Sequence, residues 1–109
     1  MTYLFLALAI IFEVIATSTI KLTAEFTKPI PSLVVLLGYV TSFYFFALVI
    51  KVLPLGITYA IWSGGGIFLI SIMGVIIYKE YLDLAAIIGI ALITIGVIVI
   101  NVFSQSIPR

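Results

Sequence analysis

Apolar residues run along this chain in four long, nearly uninterrupted stretches, and the charged positions fall between them. Residues 2–20 hold a single charge, Glu13, while residues 29–50, 52–78 and 84–108 hold none. Each stretch supplies about 20 predominantly apolar residues, and at ~1.5 Å rise per residue that length crosses a ~30 Å hydrocarbon core. The hydrophobicity is continuous rather than alternating, which argues against the period-two pattern of an outer-membrane barrel strand. Abundant Ile and Val do not weigh against helix, because in lipid a backbone must satisfy its own hydrogen bonds. The expectation is an all-α integral membrane protein, one domain over residues 1–109 with four transmembrane helices at about 2–20, 31–50, 54–78 and 84–104.

The boundaries carry physical signals. Pro31 and Pro54 suit first turns, where a missing N–H costs little. Asp83 can cap the fourth helix, its carboxylate at the positive end of the helix dipole. The loops, residues 21–28, 51–53 and 79–82, are so short that consecutive helices must be antiparallel neighbours, with no extramembrane domain between them. The first span lacks a basic leader and a small-residue cleavage site, so it reads as a mature helix rather than a signal peptide.

Composition narrows the function. Of 109 residues, 65% are hydrophobic and 8% charged, against roughly 45–50% and about 25% in soluble domains. The chain has no Cys and no His, which leaves no disulfide framework, thiol nucleophile, imidazole base or usual zinc or haem site. No cofactor, metal or enzymatic activity is expected. A net charge of +1 supplies no basic stripe for nucleic acid. The basic residues divide almost evenly between the two faces: Lys51 and Arg109 on one, Lys21, Lys28 and Lys79 on the other. Under the positive-inside rule that is nearly no bias. It is either the noise of few charges or a sign that the chain inserts both ways and pairs antiparallel.

Glu13 is the exception to the charge pattern. It lies mid-span among Ile10, Ile11, Phe12, Val14 and Ile15, where a charge costs about 2.5–3.5 kcal/mol on insertion scales and normally faces a protein interior or an aqueous cavity. Lys21, eight residues on, is roughly 12 Å away along the axis. A carboxyl group so placed can hold a proton, release it, and hold a cation instead; the bland alternative is a protonated Glu acting as interhelical glue. Ala9, Ala16 and Thr17 sit at helical offsets from it, leaving room for a substrate or another helix.

The third span places Tyr59, Trp62, Ser63 and Gly66 at i, i+3, i+4 and i+7, on one face. Trp62 lies away from the headgroup belt that Trp commonly occupies, and its indole with the Tyr59 phenol offers cation–π attraction to a lipophilic cation. Ordinary aromatic packing is the competing explanation. Gly64, Gly65 and Gly66 are no phosphate loop, since no strand precedes them and no Lys-Ser/Thr follows. They suit close helix packing and a bend that changes during gating. The second span adds Tyr39, Ser42 and Phe43 as a further wall. In the fourth, Gly89, Ile93 and Gly96 mark a contact face for oligomerisation, or else lipid-facing filler. Four helices leave little interior for both a cavity and a gate. A second, inverted copy would supply opposing walls, a second Glu13 and the symmetry that alternating access uses.

The run Glu13-Val14-Ile15-Ala16-Thr17, with Lys21, Phe26-Thr27 and Pro31-Ser32, resembles the small multidrug resistance family. So do Leu53-Pro54-Leu55-Gly56-Ile57-Thr58-Tyr59-Ala60-Ile61-Trp62-Ser63-Gly64 and the stretch from Leu82-Asp83 through Gly89 and Gly96 to Asn101, so the likeness covers nearly the whole chain. It is most similar to the EmrE-like branch, which exports quaternary ammonium and other lipophilic cations in exchange for protons. The guanidinium-exporting branch typically has Trp where this chain has Ala16, and usually Thr in place of Ser63.

The resemblance implies that Glu13 is the shared site of proton and substrate. It implies substrate contact at Tyr59 and Trp62, and pocket-lining roles for Tyr3, Thr17, Tyr39 and Ser63. It also implies a third-helix kink at Gly64 and Gly66 and a dimer contact at Gly89 and Gly96. Ala16 stands where EmrE-type chains often have Gly, which would narrow the pocket; Gly65 replaces a usual aliphatic residue.

The function expected is multidrug efflux from the bacterial cytoplasmic (inner) membrane by an antiparallel homodimer, with protons and hydrophobic cations competing for Glu13. The rivals are a guanidinium-type exporter, one subunit of a heterodimeric transporter, and a rotor-ring type of proton-handling subunit. The last is disfavoured by the aromatic cavity face.

Overall fold

The computed structural model describes residues 1–107; Arg109, counted among the terminal charges above, lies outside the described residues with Pro108. Four helices follow one another: α1 (Thr2–Thr19), α2 (Pro29–Val49), α3 (Leu55–Tyr78) and α4 (Leu84–Phe103). All are long and apolar enough to cross a membrane, and no strand occurs among the described residues.

The helix ends follow from local chemistry. Pro29, rather than Pro31, opens α2, after Lys28 in an extended conformation, as the residue before proline prefers. Pro31 then falls within the first turn, where N–H groups have no intrahelical partner. Pro54 sits one residue ahead of α3, and its carbonyl accepts from both the amide and the hydroxyl of Thr58, each at 2.9 Å. Asp83 caps α4, accepting from the Ala86 amide at 2.9 Å. At the other end of α3, Lys79 turns left-handed (φ 55°) and the Glu80 amide reaches back to the Gly74 carbonyl at 3.0 Å, a left-handed closure without glycine.

The first loop is more structured than its sequence suggests. A 3-10 turn at Ile20–Thr23 continues α1, and then Ala24, Glu25 and Phe26 all take positive φ, 47°, 63° and 65°. Left-handed backbone costs roughly 1–2 kcal/mol per residue with a Cβ. Fully buried Thr23 holds the stretch. Its hydroxyl donates to the Ile20 carbonyl (2.7 Å) and accepts from the Phe26 amide (3.1 Å), while its carbonyl accepts from the Thr27 and Lys28 amides.

The protomer is a flat slab, 45 × 35 × 17 Å, in which α1 packs on α2 and α3, and α4 on α3. Small residues set the α1–α2 contact. Ala9 and Ala16 are fully buried, the Ser42 hydroxyl donates to the Ala9 carbonyl at 2.6 Å, and a Cβ on Gly38 would lie 2.9 Å from that of Ala16. This is close backbone approach of the kind that brings membrane helices together. Phe45 of α2 stacks between Phe5 and Phe12 of α1 along the same seam. Ala16 therefore fills the gap between α1 and α2, which corrects the expectation that its methyl narrows the pocket. No residue of α4 is buried.

Candidate functional site

Glu13 and Thr17 of α1 face Tyr59, Trp62, Ser63, Gly66, Ile67, Ile70 and Ser71 of α3 across an open cleft of about 560 Å³. The carboxylate's position is fixed from two sides. The Thr17 hydroxyl, one turn on, donates to Glu13 Oε1 at 2.7 Å. On the other side, Gly66 leaves the space the carboxylate occupies: a Cβ there would lie 2.9 Å from Oε2. Oε2 itself is buried with no hydrogen-bond partner, and among the described residues no ion pair reaches Glu13. An unpaired buried carboxylate oxygen is costly in a low-dielectric interior. A proton or a cation would satisfy it.

The hydroxyl of Thr17 also lies 2.6 Å from that of Tyr39 on α2. A hydroxyl has one hydrogen. When Thr17 donates to Glu13, Tyr39 must donate to Thr17, giving a chain from α2 through α1 to the carboxylate. When Glu13 carries a proton and donates it to Thr17, the chain runs the other way. Either polarity keeps the Thr17 hydroxyl bonded to both neighbours, so the same three side chains can stay linked in both forms of Glu13.

Aromatic rings build the opposite wall. Trp62 meets Tyr59 edge-on at 5.5 Å between centroids, and Phe43 and Phe46 of α2 support it at 5.9 Å and 5.1 Å. Trp62 Nε1, like Glu13 Oε2, is buried without a partner. Phe43 also stacks on Tyr39 at 6.2 Å, joining the aromatic wall to the hydroxyl chain.

The structure thus brings Glu13, Thr17, Tyr59, Trp62, Ser63 and Gly66 to one cleft, with Tyr39 and Phe43 directly behind it. It places others elsewhere. Ser42 and Ala9 bond each other within the α1–α2 contact. Tyr3 lies half-exposed in the first turn of α1, ten residues from Glu13, roughly 15 Å along the axis. The three glycines face three different neighbours: Val97 of α4 for Gly64, Ile10 of α1 for Gly65, and the carboxylate for Gly66. Helix α3 runs unbroken through them. Around Gly89 and Gly96 the protomer offers nothing within 4 Å of an added Cβ, whereas Ile93 lies toward Gly64. Ile67, Ile70 and Ser71 were not foreseen as cleft residues, although continuing the three- and four-residue steps from Ser63 would have reached them.

At one end of the slab, Lys21 pairs with Glu80, its ammonium 5.1 Å from the centroid of the Tyr78 ring, and the Tyr78 hydroxyl donates to the Ser18 carbonyl. The ends of α1 and α3 are joined there, beyond the cleft.

Compared with known proteins, residues 1–93 match the model of the Small Multidrug Resistance protein family. The chain belongs to the small multidrug resistance family. It is 50% identical over 104 residues to a multidrug transporter of Pseudomonas aeruginosa, covering 95% of this chain and 94% of the relative. Similarity extends to the quaternary ammonium compound-resistance protein QacG of Staphylococcus sp., 49% identical with 97% and 99% covered. The multidrug transporter EmrE of Escherichia coli is 44% identical, with 98% and 97% covered. Four membrane-spanning helices and bacterial transporter relatives make this small multidrug resistance chain a multi-pass protein of the bacterial inner membrane.

Proposed function

We propose that this chain is a multidrug efflux transporter that exports lipophilic and quaternary ammonium cations in exchange for protons, the two competing for Glu13. The observation that carries the reading is the buried, unpartnered Oε2 of Glu13 beside the Tyr59–Trp62 wall. Relatives named as multidrug and quaternary ammonium-resistance proteins support the cation-export part of it.

The chemistry follows from the surroundings. With Glu13 ionised, a cation without hydrogen-bond donors gains Coulomb attraction from the carboxylate and quadrupole attraction from the rings. With Glu13 protonated the first term vanishes and the cation leaves. One carboxylate cannot be fully protonated and paired with substrate at once, so competition alone couples the two fluxes. The cleft is walled by α1 and α3 on one side only, and a second copy would close it and bring a second Glu13. The near-even division of the basic residues, Lys51 and Arg109 against Lys21, Lys28 and Lys79, with Gly89 and Gly96 open to a neighbour, supports an antiparallel homodimer.

Glu13→Gln keeps the shape and removes the charge. In proteoliposomes it is expected to abolish proton-driven cation uptake, and in detergent to abolish the proton release that cation binding triggers. Coupled uptake surviving in that variant would overturn the proposal. Tetraphenylphosphonium and guanidinium tested side by side decide which kind of cation drives the proton flux.

A further inference from the structure

A second cavity lies on the α4 side of α3. It measures about 500 Å³ and is lined mainly by Phe68, Ile72 and Val75 of α3 and Ile87, Ala91 and Ile95 of α4. Its only hydroxyls, on Ser71 and Thr94, already donate to their own helices, to the Ile67 carbonyl at 2.7 Å and the Ile90 carbonyl at 2.9 Å. It therefore presents hydrocarbon and no unsatisfied polar group. Ser71 also lines the Glu13 cleft, so the two cavities adjoin at one small residue.

We propose that this groove receives the linear alkyl tail of an amphiphilic cation whose head lies at Glu13. The inference rests on the cation-export reading above and adds the tail's location. The head has its counter-charge in the cleft. The tail has an adjoining channel that offers dispersion contacts and no polar group that would be stripped of water or of a partner. Ser71, small and bordering both cavities, marks where a single file of methylenes passes from one to the other. The groove is also kept clear of a partner chain. On α4, Ile87, Ala91 and Thr94 share one face at helical steps, and Gly89 and Gly96 lie on the opposite face. A second copy seated on the glycines leaves the groove unobstructed.

The test compares alkyltrimethylammonium ions of increasing chain length with compact tetrapropylammonium, by proton-coupled currents in proteoliposomes. Native protein and Ala91→Phe, which fills the groove, are measured together. Ala91 lines the groove and not the cleft, so tetrapropylammonium currents are expected to be unchanged, which also shows that the variant folds. The apparent affinity for dodecyltrimethylammonium is expected to fall at least tenfold. Ile95→Ala, which enlarges the groove, is expected to shift the optimum toward longer or branched tails.

Equal loss for long and short cations, or no loss for the long one, overturns the groove assignment. The latter is the result expected if bilayer lipid occupies the groove permanently. If Ala91→Phe is unstable, Ile95→Ala decides alone, and an unmoved chain-length optimum is the refuting result. Native protein that drives no proton current with any cation would overturn the export reading as well.

Discussion

Gly64 packs against Val97 where α3 meets α4, and its substitution tests that packing quantitatively. A Cβ at Gly64 would lie 2.2 Å from Cγ2 of Val97, whereas carbon atoms in contact prefer roughly 3.5–4.0 Å. About 1.3–1.8 Å must therefore be opened between the two helices. Val97 cannot swing aside cheaply, since a β-branched residue in a helix has one strongly preferred rotamer and leaving it by ~30° costs about 0.5–1.5 kcal/mol. Overpacking of this kind costs about 1–3 kcal/mol, a clash this short lying in the upper part of that range, and the better helix propensity of Ala returns up to ~1 kcal/mol. Gly64→Ala should accordingly lose about 1–2 kcal/mol net, a change of roughly 5–30-fold in the folded-to-unfolded ratio. Reversible unfolding in mixed micelles reads it out. The double variant with Val97→Ala removes the clashing methyl, so a double-mutant cycle should return a favourable coupling of about 1 kcal/mol or more. If Gly64→Ala is as stable as the native chain, or Val97→Ala brings no relief, the contact described here is wrong.

Further outcomes follow from the same geometry. Thr17→Val removes the donor that fixes Glu13 Oε1; hydrogen bonds to charged groups contribute about 1.5–3 kcal/mol, so cation affinity by titration calorimetry should fall at least tenfold. Tyr39→Phe breaks only the outer link and should cost less; a larger effect from Tyr39 would contradict the order of the chain. Asp83→Ala deletes the α4 cap and should lower unfolding stability by about 1 kcal/mol, with Asp83→Asn retaining most of it. Gly89→Ala and Gly96→Ala meet open space in the protomer and should leave its fold intact while raising the monomer fraction in crosslinking. Unfolding of the protomer itself would count against their assignment to an intermolecular contact.

The helical architecture was legible from the chain because a membrane reduces the problem to length and polarity. Asp83 could be read as a cap and Glu13 as a candidate site from single residues, and the steps from Tyr59 through Gly66 put one wall of the cleft on one face. What could not be read was which neighbour each face meets. Ala9 and Ala16 were correctly small, but spacing along α1 does not say that their partners are Ser42 and Gly38 on α2. The Thr17–Tyr39 contact joins residues on different helices, 22 positions apart, and no periodicity links them. The left-handed run at Ala24, Glu25 and Phe26 carries neither Gly nor Asn to announce it; it is imposed by hydrogen bonds that converge on Thr23.

That α4 hides no residue within the protomer bears on how such chains diverge. A helix without a core to fill is not policed by packing along most of its length, and its substitutions escape the stability penalty that α1 and α2 would exact. The atoms around Glu13 belong to α1 and α3, with support from α2. On the proposed reading, substitutions on the Gly89–Gly96 face of α4 therefore bear on the companion in the membrane and not on the carboxylate.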